Sequence, residues 1–177
     1  RRVLFRSAVF CLHKNIICEK AIFVYMFDNN RIDMVKNTWY SKIKKQNLND
    51  VLYQIYPEIA VLIKNKEINY LTSVADNIYG FFDQDRLRQV LENLISNAVK
   101  FTSKQGMIHV SALRTRNSLK ITVKDTGIGI GEEFLDKVFQ AFERDKGTNV
   151  SGIQGTGLGL SITKSIVELM GGIITVE

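Results

Sequence analysis

The sequence predicts an α+β fold: a two-layer α/β sandwich, a mixed sheet with helices on one face, preceded by a short helical or linker segment. Three observations predict it. Residues 84–101 carry one apolar stripe at helical spacing. Met107 to Leu113 and Leu119 to Lys124 read as two strands joined by the polar hairpin Arg114 to Ser118. Helices and strands follow one another without strict β-α-β alternation, which favours two layers over a doubly wound parallel sheet.

The elements follow in chain order. Residues 1–7 read RRVLFRS, the translation of the common sequencing adapter AGA CGT GTG CTC TTC CGA TCT, and are expected not to belong to the protein. In residues 8–47, Ile16, Ile17, Ala21, Ile22, Val24, Tyr25 and Phe27 are apolar without a clean period; a helix is possible and a strand is not excluded. Lys36 to Gln46 is basic and polar and reads as a linker. Asn47 is a predicted N-cap, with Asp50 favouring the same helix start. Val51, Leu52, Ile55, Tyr56, Ile59, Ala60, Leu62 and Ile63 then keep helical spacing. Pro57, the only proline, is expected to kink that helix or reset its start. Ile68 to Val74 alternates as a strand, Asp76-Asn77 turns, and Ile78 to Phe82 is a short second strand. Asp83 caps helix 84–101. Glu132-Glu133 open a short helix through Phe139. A last helix is expected from about Gly157 to Met170, stopped by Gly171-Gly172, before a strand from Ile173 to Val176.

Composition is that of a soluble globular domain: 177 residues, 45% apolar and 24% charged. The net charge of +6 is mild, and Arg1, Arg2 and Arg6 supply half of it. No basic stripe with interleaved aromatics points to a nucleic-acid partner. Cys11 and Cys18 match no metal motif and read as reduced thiols. The longest strongly apolar run, Ala21 to Phe27, is far short of the roughly 20 residues a bilayer needs. The expectation is a cytoplasmic module, with any membrane anchor outside this sequence.

Three segments carry chemistry. On helix 84–101, Leu87, Val90, Leu91, Leu94, Ile95 and Ala98 share one face, while Asn93, Asn97 and Lys100 form a separate polar ridge. An amide carbonyl can coordinate a hard Mg²⁺ without adding charge, and a lysine one turn on can meet a phosphate. The plain alternative is a solvated helix face. Asp125-Thr126-Gly127-Ile128-Gly129-Ile130 follows a strand; its glycines let the backbone approach a ligand, and Asp125 can accept from an exocyclic amine such as that of adenine. The alternative is an ordinary strand-to-helix turn. Gly155-Thr156-Gly157-Leu158-Gly159-Leu160 opens a helix whose free N–H groups and dipole favour phosphate. It lacks the Lys-Ser/Thr ending of a Walker loop and does not follow a strand. Between the last two lies Phe139-Gln140-Ala141-Phe142-Glu143-Arg144. Its phenylalanines are either core or the anchor of a lid, and Arg144 is placed to reach a terminal phosphate.

In combination these segments resemble one family. DQDRLRQVLENLISNAVKFT (83–102) looks like the asparagine box of histidine kinases, DTGIGI (125–130) and GTGLGL (155–160) resemble their two glycine boxes, and FQAFER (139–144) resembles their phenylalanine box. ELMGGIITVE (168–177) is also similar. The resemblance covers about residues 48–177, read as a histidine-kinase catalytic domain short of its last strand or two; residues 8–47 would be the end of a dimerisation helix and its linker. It implies a Bergerat-type ATP site. Asn97 would coordinate Mg²⁺, with Asn93 nearby. Lys100 would meet the phosphates, Asp125 the adenine amine, and Gly127 and Gly129 would shape that pocket. Gly155, Thr156, Gly157, Leu158 and Gly159 would flank the triphosphate, and Arg144 would serve the γ-phosphate or domain docking. The implied partners are the dimerisation domain of a homodimeric parent kinase and a response-regulator receiver domain.

Relatives of the same nucleotide fold, the type II topoisomerases, mismatch-repair ATPases, heat-shock chaperones and anti-sigma kinases, carry a glutamate base one turn before the metal asparagine. This sequence has Asn93 there, and an amide cannot take a proton. Glu92 projects about 100° away. A histidine acceptor needs no such base, because its neutral nitrogen is already nucleophilic. The expectation is therefore phosphotransfer to histidine; a nucleotide-holding module without turnover, and an ATPase or serine kinase, are the alternatives. Neither His13, without the expected flanks, nor His109, in a strand, reads as the acceptor. The acceptor is expected upstream, so the chain should bind ATP without phosphorylating itself.

Overall fold

The computed structural model describes residues 20–27, 42–115, 118–144 and 156–176. Its strands are β1 (Lys20–Phe27), β2 (Lys44–Asn47), β3 (Asn69–Ser73), β4 (Tyr79–Phe82), β5 (Met107–Arg114), β6 (Ser118–Asp125) and β7 (Ile173–Val176). Its α-helices are α1 (Leu48–Asn65), α2 (Gln84–Phe101) and α3 (Gly159–Leu169), with a 3₁₀ helix at Glu132–Lys137. A five-stranded sheet runs β3-β5-β6-β1-β7, and β2 pairs β4 separately. Only β3 and β5 are parallel, so the sheet is mixed as expected.

One face of the sheet meets the helices. Ile108 and Val110 on β5 and Leu119, Ile121 and Val123 on β6 are buried, while their neighbours in sequence are at most partly so. The period of two puts every second residue on the core side. Against them lies the α2 stripe of Leu87, Val90, Leu91, Leu94, Ile95, Ala98 and Val99, all buried. Each fully buried leucine, isoleucine or valine side chain in that stripe contributes about 1.5–3 kcal/mol. Leu48, Val51, Ile55, Ile59 and Ile63 bring α1 onto the same core.

Local signals set the helix ends. The Asn47 side chain accepts from the N–H of Asn49 at 3.1 Å, and Asp83 accepts from Arg86 at 3.1 Å. Both are capping bonds to otherwise orphaned donors. At the end of α3, Gly171 adopts φ +74 and the N–H of Gly172 donates to Val167 at 2.8 Å. A residue with a Cβ would be strained at that φ.

Three expectations change. Residues 20–27 form an inner strand of the sheet, antiparallel to β6 (Ala21 opposite Lys124) and to the edge strand β7 (Val24 opposite Ile174). Lys44–Asn47 is a strand as well. The sheet therefore draws on the stretch 8–47 that was expected to be a helix remnant and linker. The reason is the β-branched and aromatic run from Ile22 to Phe27, which suits a pleated surface. Residues 8–19 and 28–41, including Cys11, Cys18 and His13, lie outside the described residues. Pro57 does not interrupt α1; it sits on the exposed side, so the carbonyl deprived of its helical donor falls on the solvent face. Helix α3 starts at Gly159 rather than Gly157, because Gly157 has φ +71, outside any right-handed helix.

Candidate functional site

Helix α2 presents Asn93, Asn97 and Lys100 along one ridge, and all three line a single cleft of about 360 Å³. Asp125, the last residue of β6, and Gly129 beyond it form one wall. Thr156, Gly157 and Gly159, leading into α3, form another, with Arg144 closing that side. Leu94, Val123, Ile130, Phe134, Val138 and Leu160 make an apolar lining beneath the polar groups. A small number of directed polar groups over an apolar floor is how ligand sites are usually built.

Two residues expected at the site stand behind the cleft lining. Gly127 donates its N–H to Asp125 Oδ1 at 2.8 Å and backs that carboxylate. A Cβ on Gly127 would lie 2.7 Å from both Asp125 Oδ1 and the carbonyl of Phe101, so only glycine fits there. Leu158 is the N-cap residue of α3. Gly155 lies outside the described residues.

The loop holding Arg144 is tied to the glycine turn. The N–H of Phe142 donates to the carbonyl of Gly157 at 3.0 Å. Phe139 packs against the core, whereas Phe142 is 75% exposed at φ +64. The two phenylalanines thus divide between the core and exposed roles.

Electrostatically the far end of the cleft suits an anion. Burial, and then the nearby Arg144 guanidinium, hold the Lys100 ammonium below its usual pKa of 10.5. Helix α3 opens without a side-chain cap. Its first N–H groups and positive dipole end face the same region. Glu92 is turned away from the cleft and pairs with Arg88 at 2.8 Å. The carboxylates that do line the cleft are Asp125 and Glu143. His109 sits elsewhere, on β5, with Nε2 2.7 Å from Ser73 Oγ.

Several residues here had no signal in the sequence. Glu143, Phe134 and Val138 line the cleft through loop geometry. Thr163, buried on α3, accepts a hydrogen bond from Asn93 Nδ2 at 2.7 Å across 70 residues.

This arrangement, an amide-bearing helix facing two glycine turns, coincides with a known family. Residues 82–177 match the histidine kinase-, DNA gyrase B- and HSP90-like ATPases. The chain belongs to that family. Within this ATPase family, the relatives it resembles are sensor kinases. It is 38% identical over 126 residues to the circadian input-output histidine kinase CikA of Synechocystis, covering 70% of this chain and 17% of that protein. The catalytic domain of histidine kinase ThkA shares the fold at a TM-score of 0.64 and 25% identity, covering 76% of this chain and 92% of that one. Full-length ShkA, solved in complex with AMPPNP, aligns at a TM-score of 0.59 and 27% identity over 72% of this chain and 26% of its own. The chain thus spans under a fifth of the CikA it matches. Among the described residues, no helix is long and apolar enough to cross a membrane.

Proposed function

We propose that this domain binds Mg-ATP and presents its γ-phosphate to a histidine on the dimerisation domain of a sensor histidine kinase, for relay to a response-regulator aspartate. The observation that carries this reading is the pair Asn93 and Asn97, one helical turn apart in the same cleft as Asp125, with no carboxylate on that ridge. The roles follow. Asp125 accepts from the adenine amine over the apolar floor. Lys100 and Arg144 meet phosphate oxygens. The N–H groups at the start of α3, with Thr156, Gly157 and Gly159, flank the triphosphate.

The residues present fit Mg²⁺. Two neutral amides can each offer a carbonyl oxygen, and Mg²⁺ usually keeps several water and phosphate ligands. Among the described residues no cluster of three or more His, Cys, Asp or Glu could hold a metal by itself. When bound, Mg²⁺ would neutralise charge on the β- and γ-phosphate oxygens.

In phosphotransfer, the histidine nitrogen forms the new bond to phosphorus as the bond to the ADP oxygen breaks. No general base is needed, which matches Asn93 where related ATPases carry glutamate. A response regulator as the downstream partner is supported by ThkA, which was solved in complex with the response regulator protein TrrA. The work belongs in the cytoplasm, where ATP is held.

The test mixes the chain with a separately made dimerisation domain from a related histidine kinase and γ-labelled ATP. Acid-labile label on that domain's histidine is expected, with none on this chain alone. Acid-stable label on serine, or steady phosphate release without transfer, would replace this reading with a serine kinase or an ATPase.

A further inference from the structure

We infer that Thr163 is a positioning residue for nucleotide binding: it holds Asn93 so that the carbonyl end of the carboxamide faces the phosphate end of the cleft. The inference rests on the reading of the cleft given above and assigns a role to a residue outside it.

Gly159 and Thr163 lie one turn apart on α3 and straddle the Asn93 side chain. Thr163 Oγ1, in a residue only 1% exposed, accepts from Asn93 Nδ2 at 2.7 Å. Gly159 provides the space on the other side: a Cβ there would lie 2.4 Å from Asn93 Oδ1. An amide offers a donor at one end and an acceptor at the other. Thr163 engages the donor end. The oxygen is left beside the first residue of α3, where the positive end of the helix dipole favours it over the NH₂ group. Turned the other way, the amide would present two N–H bonds to an incoming cation. The same hydrogen bond joins the helix that carries the asparagines to the helix that carries the glycine turn, so both walls of the cleft keep one spacing.

The test compares Thr163→Val, which keeps the shape and removes the acceptor, with Thr163→Ser, which keeps the hydroxyl. The probes are ATP with Mg²⁺ and ATP with EDTA, titrated calorimetrically, so that the gain in affinity due to Mg²⁺ is read as a ratio. Thr163→Val should lose about fivefold to tenfold of that gain, the worth of one hydrogen bond, with metal-free ATP binding little changed and Thr163→Ser like the parent. A protein NMR measurement adds a readout that needs no nucleotide: one Asn93 side-chain amide proton should be protected from solvent exchange in the parent. If Thr163→Val keeps the full Mg²⁺ gain, or Thr163→Ser loses it too, or that proton is unprotected, Thr163 has no such role. Asn97→Ala runs alongside. If it also keeps the full Mg²⁺ gain, the reading of the cleft itself fails and takes this inference with it.

Discussion

The backbone N–H of Phe142 donates to the carbonyl of Gly157 at 3.0 Å, and both residues are left-handed, at φ +64 and +71. This pair joins the loop bearing Arg144 to the turn that opens α3. A Cβ on Gly157 would sit 3.0 Å from the Phe142 backbone. Gly157→Ala therefore combines left-handed strain of about 1–2 kcal/mol with a backbone contact that cannot yield cheaply. Mg-ATP affinity should fall about 5–30-fold, while the thermal midpoint barely moves, because the loop opens locally. Unchanged affinity by calorimetry would mean the pair does not shape the cleft.

Lys66 closes the other end of α2. Its ammonium donates to the carbonyls of Val99 at 2.7 Å, Lys100 at 3.0 Å and Thr102 at 3.0 Å. Those carbonyls are the orphans of a helix C-terminus, and a cation there also answers the dipole. Lys66→Met should cost about 1.5–3 kcal/mol of stability, the range for hydrogen bonds to a charged group. Urea unfolding monitored by circular dichroism measures it; a loss below about 0.5 kcal/mol would show that solvent replaces the lysine at no cost.

Tyr70 predicts an alkaline limb of stability. Burial, then the nearby Tyr56, push its phenol from 10.0 to about 12. The neutral form is the one the fold accommodates. Between pH 10 and 12 the unfolded chain loses this proton while the folded chain keeps it, so stability falls as pH rises through that window. The loss is about 2 kcal/mol by linkage. Tyr70→Phe should unfold with a shallower pH dependence than the parent over that range, and parallel curves for the two would contradict the assignment.

Much of this was legible in the sequence because it was local. Asp83 and the apolar stripe of α2 predicted that helix at its observed bounds, Gln84–Phe101. The same spacing arithmetic put Asn93, Asn97 and Lys100 on one ridge, and the structure brings that ridge to Asp125 and the second glycine turn. What was not legible was non-local. Strand β1 is defined by pairing with β6 and β7, roughly 90 to 155 residues along the chain. Thr163 lies among the core positions of α3, and only its distant partner Asn93 reveals a use for its hydroxyl. The two-residue shift in the start of α3 follows from one backbone angle, at Gly157, that composition does not encode.

The account depends most on Asn97 and Asp125 gripping opposite ends of one nucleotide. The direct measurement is the calorimetric Kd for Mg-ATP of the parent beside Asn97→Ala and Asp125→Asn. Asparagine at 125 can still accept from Gly127, so the turn survives while the carboxylate is lost. Each variant is predicted to bind about tenfold more weakly or worse. Parent-like affinity in both would contradict the assignment of the cleft.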